Sequence, residues 1–161
     1  MKLKRISKMG SALALALLTM QFPVLARSQS TTPPAAATIP AAQLIQPEQL
    51  KMLLSAAAST RPLILQVGSR LMFDQAHIPG SEYAGPASRD EGLNLLQNRV
   101  TPLLKTSFIV LYCGCCPWSR CPNVGSSYKR LHDMGFTNVK VLYIAENFGT
   151  DWVNKDYPVA H

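Results

Sequence analysis

Outside one nine-residue window, Cys113 to Cys121, this 161-residue chain has no cysteine, and none of its three histidines lies inside that window. Carboxylates are scarce as well, nine in all. Asp74 and Asp151 have no second carboxylate near them in sequence, so acid–base catalysis by a carboxylate pair has no support. Beyond the first eight residues, Lys/Arg clusters and interleaved aromatics are absent, which leaves nucleic-acid binding without its electrostatic footprint. No internal repeat is visible. The most apolar run, from Met9 through Leu18 to Leu25, is broken by Gln21 and Pro23 and falls short of the ~20 residues a membrane-spanning helix needs.

That broken run has another use. A basic start (Lys2, Lys4, Arg5, Lys8), an apolar middle and the small-residue end Val24-Leu25-Ala26 have the pattern of a secretory signal. Residues 1–26 are therefore expected to be a signal peptide cleaved after Ala26, leaving a periplasmic or secreted protein without a membrane attachment. The formal net charge of +7 falls with it: four of the sixteen basic residues are removed, leaving twelve against nine acidic residues, or +3. Export places the cysteines where disulfides are permitted. A thiol enzyme in such a compartment must be kept reduced, which calls for a periplasmic redox partner.

Residues 27–42, "RSQSTTPPAAATIPAA", are rich in Ser, Thr, Pro and Ala without apolar periodicity and read as a flexible linker. The folded domain is expected over residues 43–161. Leu44-Ile45 predicts a short strand. Pro47 followed by Leu50, Leu53, Leu54 and Ala57 predicts an amphipathic helix running to Ser59-Thr60. Apolar runs at Leu63 to Val67, Phe108 to Tyr112 and Val139 to Tyr143 predict inner strands, with an edge segment near Glu82 to Ala84. Helical spacing recurs at Leu71 to Ala76, Gly92 to Val100, Ser126 to Met134 with Gly135 as its C-cap, and around Asp151 to Val153. Strands that are apolar on both faces and alternate with helices imply an α/β fold with a parallel sheet covered on both sides. In such sheets ligands sit beyond the carboxyl ends of the strands, where Cys113 falls.

The stretch "FIVLYCGCCPWSRCPNVGS", Phe108 to Ser126, is thus a candidate reactive loop at a strand's end. Three chemistries compete for it. The Cys113-Gly114-Cys115-Cys116 segment contains a C-x-x-C pair after a strand, as in thiol–disulfide redox proteins, although such motifs sit earlier in their domains. Crowded thiolates suit Cu(I) or zinc, but C-x-C-C-x4-C lacks the paired C-x2-C modules of structural zinc sites, so neither a metal nor any other cofactor is expected. A disulfide of Cys121 with Cys115 or Cys116 would staple the loop without excluding a reactive Cys113. A second cysteine, Cys116 or Cys121, could also resolve a modified Cys113.

Five pieces, in order, carry a family likeness: "LILQVGS" (Leu63 to Ser69), "HIPGS" (His77 to Ser81), "IVLYC" (Ile109 to Cys113), "MGFTNVKVL" (Met134 to Leu142) and "WVNKDYPV" (Trp152 to Val159). Together they resemble a rhodanese-like sulfurtransferase domain over Gln43 to Val159. The resemblance implies a three-layer fold with a mainly parallel central sheet and helices on both faces. It implies Cys113 as the nucleophile, which takes sulfane sulfur from a small donor (thiosulfate or a persulfide) and passes it to a thiol or cyanide. The backbone amides of Gly114, Cys115 and Cys116 would cradle the sulfur, and Arg120, the one cation in the loop, would hold an anionic donor. Two differences stand out. Relatives usually have Asp-Val-Arg where this chain has Gln66-Val67-Gly68, and the segment from Cys113 to Gly135 is longer than usual.

Among other candidates, His77 reads as a turn residue bonded locally, His132 as solvent-facing, and Phe148 and Trp152 as packing. Trp118 is either a lid over the site or a loop anchor.

Overall fold

The computed structural model describes residues 39–161. The expected signal peptide and residues 27–38 of the expected linker lie outside them. Five strands form one sheet: β1 (Leu44–Ile45), β2 (Leu63–Gln66), β3 (Glu82–Tyr83), β4 (Ile109–Tyr112) and β5 (Val139–Leu142). Their order is β1-β5-β4-β2-β3, and every pairing is parallel. The helices are α1 (Pro47–Leu54), α2 (Arg70–Gln75), α3 (Asp90–Val100), α4 (Pro122–Asp133) and α5 (Phe148–Asp151).

Alternation along the strands divides the core in two. Leu65, Val67, Ile109, Leu111, Val139 and Val141 pack with Leu96 and Val100 of α3 and with Val124 and Leu131 of α4. Ile64, Val110, Tyr112 and Leu142 point to the opposite face and meet Leu50 of α1, Phe148 of α5 and Trp152. The result is the three-layer α/β arrangement expected, with β4 buried at all four positions. Such uniformly apolar strands are what a sheet covered on both faces requires. Because side chains alternate, Cys113 continues the Ile109 and Leu111 row and faces the α3/α4 layer.

Several boundaries differ from the sequence-based expectation, each for a local reason. Ile39 is buried against the α3/α4-face core, and Ala41–Gln43 form a 3-10 turn. The expected linker therefore ends in ordered chain, and packing begins four residues before Gln43. Helix α1 stops at Leu54 rather than near Thr60, because Ala57, its next apolar position, is exposed and has no core to meet. Helix α3 begins two residues early, at Asp90, where Asp90 and Glu91 place negative charge in its first turn.

The shift that bears on the cysteines is at α4, which starts at Pro122 and not at Ser126. Pro122 occupies the first helical turn, where its fixed φ suits a helix and its missing N–H costs nothing. The connection between β4 and α4 is thereby cut to the nine residues that carry the cysteines.

Candidate active site: the cysteine loop

Cys113 follows directly on β4 and is buried, at 2% exposure. Cys121, the N-cap residue of α4, is also buried, Cys116 is half-buried and Cys115 is exposed. Loop and helix bring all four sulfurs within 4.8 Å of one another. Cys113 Sγ lies 3.4 Å from Cys115 Sγ, which lies 3.2 Å from Cys116 Sγ. All four are free thiols. C-x-C-C-x4-C, although it lacks paired C-x2-C modules, therefore converges once α4 begins at Pro122.

The loop is braced from the far side of the sheet. The Trp118 N–H donates to Ile144 O at 2.9 Å, and the Phe148 N–H donates to Gly114 O at 3.1 Å. A 3-10 turn over Trp118–Arg120 completes the path to Cys121. The Trp118 ring stands 6.2 Å from that of Tyr143 and packs on the core, so the residue is an anchor for the loop.

The electrostatics single out one sulfur. A hydrogen bond from the Cys121 thiol, against the opposing effect of burial, holds Cys113 well below the usual thiol range, to about 5. The Cys115 backbone amide, the Cys115 thiol and the Asn123 side-chain amide act in the same direction. The Cys115 thiol is pushed up to about 12, by burial first and then by its sulfur neighbours. Cys121 is pushed up strongly by its bond to Cys113 and by burial. Of Cys113, Cys115 and Cys121, it is Cys113 that ionises most easily.

Asn123 belongs to the site although the sequence reading passed over it. Its Nδ2 donates to Cys113 Sγ at 3.7 Å, while its Oδ1 accepts the Ser88 N–H at 2.8 Å. A second neighbour is Gly68. A Cβ there would stand 2.8 Å from Cys113 Sγ, so its lack of a side chain makes room for the sulfur. Gln66, in the expected departure from Asp-Val-Arg, is buried and turns its Oε1 back onto the Gly68 N–H at 3.1 Å. Gly114 is buried beside Met72 and Phe148.

Arg120 directly precedes Cys121 in the loop. It is exposed at the end of the 3-10 turn, and among the described residues its side chain makes no hydrogen bond to a cysteine. His77 serves the fold: its Nδ1 meets Phe73 O at 2.9 Å, and its backbone pairs with Ala160. His132 is exposed, and Phe148 and Trp152 are core. The sulfurs lie apart from the surface cavity of about 560 Å³ lined by Tyr128, His132 and Phe136. Among the described residues, no helix is long and apolar enough to cross a membrane.

No protein-family model and no curated protein sequence matches the chain. Solved structures do. The rhodanese-like domain of a protein from Anabaena sp. aligns with a TM-score of 0.53 and 19% identity, over 73% of this chain and 78% of that one. A rhodanese-related protein from Thermoplasma volcanium aligns with a TM-score of 0.51 and 15% identity, over 73% and 97%. A protein of unknown function from Rhodopseudomonas palustris, described as a possible tyrosine phosphatase, aligns with a TM-score of 0.53 and 16% identity, over 73% and 84%. At such identities the shared property is architecture: this chain has a rhodanese-like fold.

Proposed function

We propose that the protein is an exported sulfurtransferase that carries sulfane sulfur on Cys113. The observation that carries this reading is the position of Cys113: it ends the central strand of a rhodanese-like sheet, with its sulfur held as an anion by hydrogen-bond donors. A thiolate is the form that attacks sulfur. With thiosulfate as donor, the Cys113 thiolate attacks the outer sulfur, a new S–S bond forms, and the bond to the inner sulfur breaks to release sulfite. Cys113 is left as a persulfide anion. An acceptor thiolate or cyanide then attacks the terminal sulfur and leaves with it, restoring the Cys113 thiolate. No net electrons enter or leave.

Access favours small or protruding reactants. Cys113 is buried while Cys115 is exposed beside it, so a donor or an acceptor thiol meets the cluster on the Cys115 side. Arg120, exposed on the same loop, offers positive charge to an approaching anion. Export rests on the signal pattern of residues 1–26.

The 3.4 Å between Cys113 and Cys115 favours a second step on the same site. The Cys115 thiol can attack the inner sulfur of the persulfide, forming a Cys113–Cys115 disulfide and releasing hydrogen sulfide. A periplasmic thiol reductant must then reopen it.

Intact-mass measurement tests the first reading. Reduced, chelator-treated protein incubated with thiosulfate is expected to gain about 32 Da, one sulfur, and Cys113→Ser is expected to gain nothing. Absence of the adduct on a protein with four titratable thiols, or its survival in Cys113→Ser, would overturn the assignment.

A further inference from the structure

We propose that Cys113, Cys115, Cys116 and Cys121 together form a tetrahedral thiolate site for a thiophilic d10 cation, Zn²⁺ or Cu(I). This stands independently of sulfur transfer. It goes beyond it, because a ligated Cys113 has given up the lone pair with which it would attack a donor.

The dimensions fit. A tetrahedral zinc–thiolate centre with bonds of about 2.3 Å has sulfur–sulfur edges of about 3.8 Å. In the protein the short edges are 3.2 and 3.4 Å, and no pair exceeds 4.8 Å. Adjustments of about an ångström in Cys side chains are enough to seat the ion. The donor set is all sulfur, which selects zinc or Cu(I) over the hard cations that prefer oxygen.

The frame is built before the ion arrives. Cys113 is fixed by the end of β4, and Cys121 by the first turn of α4, where Pro122 sets the helix start. The two loop cysteines ride between backbone anchors at Gly114 and Trp118. Outer groups suit a charged centre too. The Asn123 amide, itself held by Ser88, donates toward Cys113 Sγ. The amino end of α4, twelve residues long, faces the cluster through Cys121 and offsets the two negative charges that four thiolates leave on a bound Zn²⁺. Binding releases to solvent the protons the thiols still carry, and no electron moves.

The test uses the full chain, reduced and stripped with chelator under anaerobic conditions. It is titrated with Zn²⁺ or Cu(I) against a competing chromophoric chelator, with Co²⁺ as the spectroscopic substitute for zinc. We expect one ion per chain, loss of thiol-reagent reactivity at all four cysteines, and a Co²⁺ spectrum with sulfur-to-metal charge transfer and tetrahedral ligand-field bands. Cys115→Ser, at an exposed position that packing does not constrain, is expected to weaken binding at least about tenfold, the scale on which even outer-shell losses act. Cys121→Ser should do the same. Failure of Zn²⁺, Co²⁺ and Cu(I) all to bind at micromolar protein would overturn the proposal. So would an octahedral Co²⁺ spectrum, or unchanged affinity in Cys115→Ser. No sulfur donor enters this experiment, so its outcome is separate from that of thiosulfate loading. Protein already carrying the ion should gain no sulfur from thiosulfate until the ion is removed.

Discussion

The hydroxyl of Tyr112 lies 3.1 Å from Ser81 Oγ and ties the residue that precedes Cys113 to a turn 31 positions earlier in the chain. The same hydroxyl accepts the Ile78 N–H at 3.2 Å. Burial, against the lowering effect of these bonds, raises the phenol to about 12, so it stays protonated throughout the working range. The "HIPGS" segment is therefore a clamp on the strand that presents the nucleophile.

Tyr112→Phe should weaken this clamp. Among the described residues no buried side-chain nitrogen or oxygen lacks a partner, and the substitution would leave the Ser81 hydroxyl and the Ile78 N–H without theirs. A cost of about 1–3 kcal/mol is expected in denaturant unfolding. A midpoint unchanged from that of the parent protein would show that the bonds contribute nothing.

Gly68→Ala should act on reactivity more than on stability. The added methyl would meet Cys113 Sγ at 2.8 Å and Gln66 Nε2 at 3.0 Å, both side-chain atoms that can move. Displacing the sulfur from its rotamer costs about 0.5–1.5 kcal/mol, a roughly two- to tenfold loss in the iodoacetamide rate at Cys113. An unchanged rate would mean that the sulfur does not occupy the space beside Gly68.

The pH profile of the same reaction tests the anion. An ordinary thiol protonates as pH falls through about 8.5. Cys113, depressed chiefly by the Cys121 thiol and then by its other donors, should remain reactive in reduced, metal-free protein until pH approaches about 5. Cys121→Ala removes the main donor and should move the midpoint upward. At pH 6 the thiolate fraction, and with it the rate, falls by up to about tenfold for each unit of that rise. A parent midpoint near that of a free thiol, or no movement in Cys121→Ala, would refute the assignment.

Gly92→Ala should be costly although it sits in a helix, where alanine is ordinarily favoured by about 1 kcal/mol. Its Cβ would stand 2.1 Å from Pro86 O and 2.3 Å from Pro86 C, which are backbone atoms with little freedom to retreat. A net loss of at least about 2 kcal/mol is expected by chemical denaturation. A gain in stability would show that α3 is not packed directly on the Pro86-Ala87 backbone.

The sheet was legible in the sequence because β2, β4 and β5 are short, mostly apolar runs set between turn residues, with Gln66 and Lys140 the polar exceptions. Cys113 was legible as a strand end for the same reason. Asn123 was not, since its partners, Ser88 and Cys113, lie 35 and 10 positions away and meet it only after folding. The start of α4 was hidden because a cysteine is an unusual N-cap, while Pro122, Gly125 and paired serines read as loop. Arg120 drew attention by charge alone, and a 3-10 turn carries it to the surface. Ile39 stands among Pro and Ala, a composition that conceals a single residue packed into the core.

The sheet order gives Ile109–Tyr112 paired neighbours on both sides, β5 and β2, whereas the edge strands are two residues each. Amide protons in such a middle strand exchange with solvent only when the whole domain opens. Residues 114–121 hang from a few loop hydrogen bonds and exchange through smaller openings. Arrival of a sulfur atom or a metal ion should therefore be recorded as slower deuterium uptake across 114–121, against a strand beneath it that registers no change.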